Sequence, residues 1–140
     1  PTYNIEHLDV SGIDILIADQ VLEHVEKPWI AAVEIHRVLN QGGIAVVATP
    51  GLYPVHPSPL DCWRIMPDGY KVLFPESQWE VLSTGMWGHQ ERVGWEYLYN
   101  GGFPMGPPNT TVKMAEQQPY FVEGTDGRCP LQLWWVGKKR

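Results

Sequence analysis

The first half of the chain alternates between apolar runs and a segment of helical periodicity. Residues 13–18 are nearly all apolar and end at Asp19, which is typical of a strand buried on both faces of a sheet. A helix is predicted next, because Pro28 suits a first helical turn and the following apolar positions share one face. These positions are Ala31, Ala32, Ile35, Val38 and Leu39. Turn residues 40–43 end this helix before a second buried strand at 44–49, so residues 13–49 predict a right-handed βαβ unit.

The second half is less periodic. Residues 50–74 begin with a proline-rich stretch and predict a long loop, followed by a short helix at 67–73. Two further runs predict strands at 79–87 and 131–136, which together form a C-terminal hairpin over residues 79–136. The insertion between them, residues 88–130, favours a helix at 91–99 and is otherwise irregular, as functional or mobile segments often are.

Composition and charge narrow the classes of partner. The net charge of −6 argues against nucleic acid or an anionic membrane surface as the main partner. The sequence contains neither an apolar run of about 20 residues nor a basic-then-apolar leader, so a cytoplasmic protein is expected. Cys62 and Cys129 have no metal-ligand spacing. His7, His36 and His89 have no partner at such spacing either, so no metal site is predicted.

Three motifs carry a resemblance to a known family. Residues 14–25, DILIADQVLEHV, resemble the fourth strand of class I S-adenosylmethionine-dependent methyltransferases (type 11/12-like), in which "fDlVia" is followed by "vLEHv". Residues 34–50, EIHRVLNQGGIAVVATP, are similar to the family's "EixRvLkPGGxlvxxxP" and lie at the matching distance from the first motif. Residues 56–69, HPSPLDCWRIMPDG, look like the "P-x-D-x-W-R-x-x-P-x-G" run of a subset of these enzymes. The resemblance covers residues 13–87 well and 131–136 loosely.

The resemblance implies an α/β fold, a Rossmann-like half-sheet with flanking helices. The family's strand order is 3-2-1-4-5-7-6, and this chain would supply 4-5-7-6, with the last pair antiparallel. Asn40 and Gln41 replace the usual Lys-Pro, and neither the glycine-rich cofactor turn nor the acidic ribose-binding residue can be located. We therefore expect a single partial domain over residues 1–140 that lacks the N-terminal half. Residues 1–12 would be a remnant of the preceding strand region, with that strand near residues 3–8.

A half-sheet of this kind leaves an apolar edge at Ile13–Ala18. Because unpaired apolar edges tend to pair with other chains, we expect either a homodimer joined near this edge or the segment 3–8 folding over it.

The resemblance implies S-adenosylmethionine-dependent methyl transfer to an unidentified acceptor, with a small-molecule substrate, as part of a longer enzyme. The fragment alone would then be inactive. The alternative is a non-catalytic binding or dimerisation module built on the same half domain. A nicotinamide-dependent reductase is disfavoured, because it too needs a glycine-rich turn.

The resemblance also assigns candidate cofactor-binding and catalytic residues. Asp19 and Gln20 leave the first strand where the family holds the methionine part of S-adenosylmethionine, and Asp9 is a candidate for the acidic residue on the adenine side. His24 is a candidate base, since an imidazole can take a proton from the atom to be methylated. For Glu23 a structural role is favoured.

Four residues of the loop after the second strand are candidates for substrate contacts: His56, Asp61, Trp63 and Arg64. An indole and a guanidinium suit a planar or carboxylate-bearing substrate. The alternative is that Arg64 pairs with Asp61 and that Trp63 anchors the loop to the core.

Overall fold

The computed structural model describes residues 4–53, 55–56, 60–88 and 130–140. Within these residues the elements follow in this order: strand β1 (Ile13–Asp19), a single 3-10 turn (Leu22–His24), helix α1 (Pro28–Val38), strand β2 (Leu39–Pro50), helix α2 (Pro67–Leu73), strand β3 (Trp79–Trp87) and strand β4 (Gln132–Lys139). The predicted helix at 91–99 and nearly all of the predicted insertion lie outside the described residues. No helix in the described ranges is long and apolar enough to cross a bilayer.

The four strands form one mixed sheet in the order β1-β2-β4-β3. β1 and β2 run parallel, whereas β4 is antiparallel to both of its neighbours, β2 and β3. This arrangement confirms the half-sheet order 4-5-7-6 with an antiparallel last pair. It also confirms the predicted βαβ unit, in which α1 connects the two parallel strands.

The predicted strand boundaries need two corrections. β2 begins at Leu39 and not at Ile44, because Leu39 already pairs with Ile13. The register then jumps so that Ile15 pairs with Ile44, and the intervening turn residues form a bulge in which Gly42 has a φ of 79°. β4 extends to Lys139 and not only to residue 136, and the Lys139 ammonium donates hydrogen bonds to two carbonyls at the C-terminal end of α1.

The helices cover one face of the sheet. All five predicted apolar positions are buried, four of them in α1 and the fifth, Leu39, at the start of β2, together with Ala45 and Val47 of β2. The aromatic part of this core joins α2 to the two antiparallel strands: Phe74 stacks on Trp135 at 4.3 Å between ring centroids, and Trp79 meets both rings edge-on. Rings of this size contribute much of the buried apolar area, so they fix α2 on the sheet.

The opposite face of the sheet is open in the described part of the chain. Ile15 is 61% exposed and Ile17 68% exposed, so the prediction that the first strand is buried on both faces is wrong for this chain. Their side chains alternate with those of Leu16 and Ala18, which point toward α1. One helical layer covers one face only, and no described helix lies on the other.

The segment before β1 runs along α1. Asn4 and His7 form an isolated bridge that closes a turn, and the Leu8 amide donates to the Glu34 carboxylate at 2.7 Å. Arg37 donates to the Leu8 carbonyl at 2.7 Å. The expected strand at residues 3–8 is therefore wrong for residues 4–8, which form a turn against α1 and do not pair with β1.

Candidate functional site

The carboxyl ends of β1 and β2 carry the candidate residues, as expected for an open α/β sheet. Asp19 is exposed at the last position of β1, and Gln20 follows it. Gln20 has a φ of 54°, and no other non-glycine residue in the described part of the chain has a positive φ. The Gln20 amide donates to the Ala48 carbonyl of β2 at 2.9 Å, which holds this sparsely populated conformation in place.

A cleft of about 420 Å³ opens beside Gln20. Its walls come from the N-terminal turn and from the segment between β1 and α1: Asn4, Ile5, Glu6, Gln20, Val21, His24, Val25 and Glu26. The volume lies within the range of small-molecule sites, and the lining mixes apolar side chains with carboxylates, amides and an imidazole. The cleft can therefore accommodate a polar small molecule next to the end of β1.

Glu23 lies beneath this region in the 3-10 turn. Its side chain is fully buried, and neither carboxylate oxygen has a hydrogen-bond partner within the described residues. Burial raises the pKa of the Glu23 carboxyl above its usual value. The Glu23 backbone carbonyl, in contrast, accepts hydrogen bonds from the amides of Cys62 (2.7 Å) and Trp63 (3.3 Å). The main chain of Glu23 thus anchors the loop, which fits the structural role favoured from the sequence, while its side chain is left unsatisfied.

His24 and His56 meet over this carboxylate. The Nδ1 atom of His24 is hydrogen-bonded to the carbonyl of Leu60, and its Nε2 atom lies 3.6 Å from the Oε1 atom of Glu23. The His56 ring stands edge-on to His24 with 5.1 Å between centroids, and Tyr53 stands edge-on to His56 at 5.8 Å. One nitrogen or oxygen from each of Glu23, His24 and His56 can be chosen so that all three lie within 4.8 Å of one another.

Asp61 and Arg64 form a closed ion pair. The guanidinium donates to both carboxylate oxygens, with a distance of 2.6 Å from Nη2 to Oδ2, and Arg64 also donates to the Tyr53 carbonyl at 3.0 Å. The Asp61 side chain is 1% exposed and also accepts from the His56 amide at 2.8 Å. The hydrogen bonds from Arg64 lower the pKa of the Asp61 carboxyl to about 2. The structure thus favours the alternative in which this pair holds the loop together.

Trp63 anchors the loop and is partly exposed. Its indole N–H donates to the Val25 carbonyl at 2.8 Å, and its ring meets Trp29 edge-on at 5.9 Å, so it does anchor the loop. The residue is nevertheless 38% exposed, so it is not fully covered by the loop.

Asp9 is not brought together with Asp19 and Gln20. It lies four residues before β1 begins, on the segment that runs toward the amino end of the strand, and its carboxylate is exposed and contacts His7 at 3.2 Å. A seven-residue strand spans roughly 20 Å, which separates Asp9 from the carboxyl end where Gln20 lies. The role of Asp9 on the adenine side stays a prediction.

Sequence reasoning missed two features of the site. A hydrogen bond of 2.8 Å joins the buried Thr49 hydroxyl at the end of β2 to the Tyr70 hydroxyl, and burial raises the pKa of Tyr70 to about 12. The grouping of His56 with Glu23 and His24 was also missed. Residues so far apart in the sequence have no motif spacing, and only the return of the loop over the 3-10 turn brings them together.

Comparisons with known proteins point to the same class of fold as the order of the strands. Residues 3–47 match the model of a family described as a methyltransferase domain. No curated protein matches the chain at the sequence level. Solved structures resemble this chain along almost its whole length.

The first is a chain in the complex of the Haloferax volcanii Trm112 methyltransferase activator with a methyltransferase: 18% identity, TM-score 0.58, covering 97% of this chain and 58% of that one. Two S-adenosylmethionine-dependent methyltransferase structures, from Listeria monocytogenes and Mesorhizobium loti, also give TM-scores of 0.58. Their identities are 10% and 11%, and they cover 99% and 97% of this chain and 67% of their own chains.

The chain therefore has a class I methyltransferase-like fold, as the motifs predicted, and residues 3–47 match the methyltransferase-domain family. The likeness to the solved structures is one of fold, and the chain spans 58–67% of the length of these three proteins.

Proposed function

We propose that this chain takes part in S-adenosylmethionine-dependent methyl transfer to a small-molecule acceptor, with the cofactor's methionine part held at the carboxyl end of β1. The observation that carries this proposal is the left-handed turn at Gln20, which opens onto the cleft at the sheet edge where open α/β folds bind ligands. Strained backbone of this kind is found most often at functional sites.

The residues at this edge suit the cofactor's charged end. The exposed Asp19 carboxylate can pair with an α-amino group, and the Gln20 amide can bind a carboxylate. S-Adenosylmethionine supplies the methyl group as a sulfonium, and S-adenosylhomocysteine leaves when the acceptor atom has taken it. The protein's main contribution to such a displacement is orientation. His24, at the cleft wall, is placed to take the proton that a hydroxyl or amine acceptor must lose.

Calorimetric titration with S-adenosylhomocysteine tests this proposal. We expect saturable binding that Asp19→Asn and Gln20→Ala each weaken by about tenfold, the loss of a charge-assisted or well-oriented hydrogen bond. Glu80→Gln is the matched control, because this half-exposed carboxylate lies near the start of β3, at the opposite end of the sheet. Absence of any saturable heat from well-folded chain would contradict cofactor binding by this chain.

A second candidate, a dimerisation module, is favoured by the open sheet face. Ile15 and Ile17 are exposed on β1, which pairs only with β2 in the described part of the chain. A second copy could cover this apolar surface, since exposed apolar edges favour association. Sedimentation velocity over a range of concentrations would show a dimer that Ile17→Lys disrupts. A monomer at all concentrations would exclude this candidate.

A further inference from the structure

We propose that Glu23, His24 and His56 form a binding site for a divalent transition-metal ion. Two imidazoles and one carboxylate are a ligand set found in catalytic zinc sites and in non-haem iron sites. Three protein ligands leave further coordination positions open for water or a substrate atom. Imidazole ligands favour a first-row transition ion over Mg²⁺ or Ca²⁺, which prefer oxygen.

The Glu23 carboxylate is the first argument. A carboxylate that is removed from water needs hydrogen bonds, a counter-charge or a proton, because an isolated buried charge is strongly unfavourable. Both of its oxygens lack a hydrogen-bond partner in the described residues, and the side chain is fully buried. The Arg64 guanidinium, on the loop that contacts the Glu23 main chain, already donates to both carboxylate oxygens of Asp61. A bound cation would supply the positive charge that Glu23 requires.

The orientation of His24 is the second argument. A backbone carbonyl only accepts hydrogen bonds, so the His24 Nδ1 atom that contacts the Leu60 carbonyl must carry the proton. In the neutral imidazole the lone pair then lies on Nε2, which faces the Glu23 Oε1 atom at 3.6 Å. Two acceptor atoms thus face each other, and a metal ion between them satisfies both. Metal-binding histidines usually donate their other ring N–H to a carbonyl or carboxylate in this way.

The distances are compatible with coordination. Two ligand atoms at about 2.1 Å from a tetrahedral ion lie roughly 3.4 Å apart, close to the 3.6 Å between His24 and Glu23. The ligand atoms of Glu23, His24 and His56 lie within 4.8 Å of one another, so the His56 ring needs the larger adjustment. The His56 backbone is held by the Asp61 carboxylate, while its partly exposed ring can turn toward the other two ligands.

The position of the site gives it a use that rests on the proposed methyl transfer. His24 also lines the cleft beside Gln20, so an open coordination position would face a molecule bound there. A metal ion lowers the pKa of a bound hydroxyl and orients its oxygen. An acceptor hydroxyl bound to the ion would release its proton to solvent water, and His24 would then serve as a ligand in place of acting as the base.

Zinc titration of the tag-free, chelator-treated chain tests the proposal, with no cofactor present. We expect one equivalent of Zn²⁺ to bind with a dissociation constant of about 1 μM or below. His56→Ala and Glu23→Gln should each weaken binding by at least about tenfold. His7→Ala is the matched control, because His7 is an exposed histidine on the turn before β1 and should leave binding unchanged.

Two further readouts separate metal binding from folding and from methyl transfer. Co²⁺ should give visible absorption bands with wild-type chain that are lost in the folded His56→Ala variant, and Zn²⁺ should raise the melting temperature of the wild type and of His7→Ala more than that of His56→Ala. Absence of stoichiometric binding to folded wild type, or equal binding by His56→Ala, would overturn the proposal. Because S-adenosylhomocysteine is titrated separately, either proposal can fail without the other.

Discussion

The two buried carboxylates of the site, those of Asp61 and Glu23, differ in their hydrogen bonding. Asp61 receives a guanidinium at both oxygens and a backbone amide as well, and its pKa is lowered to about 2. The Glu23 carboxylate has no hydrogen-bond partner in the described residues, and burial raises its pKa. Burial alone therefore does not determine the role of an acidic side chain. A satisfied carboxylate holds a loop together, and an unsatisfied one is available to a ligand.

The largest expected effect is on the satisfied pair. Arg64→Ala leaves the Asp61 charge buried and unpaired, so we expect a loss of about 3 kcal/mol in the free energy of unfolding. Urea denaturation at neutral pH measures it. The control is Lys71→Ala, which removes an exposed pair with Asp68 and should leave the free energy of unfolding almost unchanged. Equal losses in the two variants would show that the Asp61–Arg64 pair adds nothing beyond a surface contact.

A second carboxylate–arginine pair, Glu34–Arg37, tests the same principle away from the loop. Hydrogen bonds from Arg37 and from the Leu8 amide lower the pKa of Glu34 to about 2, from an ordinary value of 4.5. Since the folded state holds this carboxylate ionised, its contribution is present above pH 4.5 and is lost as the pH falls toward 2. Glu34→Gln should lower stability by about 2 kcal/mol at pH 7 and flatten this acid limb.

Urea denaturation of wild type and of Glu34→Gln across this pH range measures the effect. Parallel curves would contradict the linkage between Glu34 and folding.

Trp63 links the two segments that carry these carboxylates, since its amide donates to the Glu23 backbone carbonyl and it lies two residues after Asp61. Trp63→Phe keeps an aromatic ring and removes the indole hydrogen bond to Val25. We expect a loss of about 1 kcal/mol in unfolding free energy and unchanged Zn²⁺ affinity. Thermal unfolding and zinc titration of the same sample measure both. A large loss of zinc affinity would mean that the loop position depends on this bond.

Glu23→Gln should have the smallest effect on the metal-free chain and the opposite sign. Replacing an uncompensated buried charge by a neutral amide should raise the unfolding free energy by up to about 1 kcal/mol at pH 7 in the presence of a chelator. Urea denaturation again provides the measurement. If the variant were less stable by about 2 kcal/mol or more, the carboxylate would have to be satisfied in the metal-free chain, and the contrast with Asp61 would disappear.

Local periodicity was enough to predict the elements but not how the site is assembled. The apolar spacing of α1 follows from its one buried face and predicted the helix. The apolar run at β1 predicted the strand, although one face of that strand is exposed in the described part of the chain. The start of β2 was misplaced, since turn-forming residues such as Gly42 also suit a bulge inside a strand. The left-handed backbone of Gln20 and the approach of His56 to Glu23 depend on contacts between distant segments, which no local pattern encodes.

The position of β4 in the sheet has a consequence for the order in which the protein assembles. β4 lies between β2 and β3, and its pairing of Lys138 with Ile44 joins residues that are far apart in the sequence. The connection between β1 and β2, in contrast, is one short helix. Closing a long loop costs more chain entropy than closing a short one, so the parallel β1–α1–β2 unit should form early and the central antiparallel ladder late. Until β4 has paired with its neighbouring strands, the aromatic core around Trp135 is incomplete. Folding to the native state is therefore expected to be limited by the insertion of the last strand into the middle of the sheet.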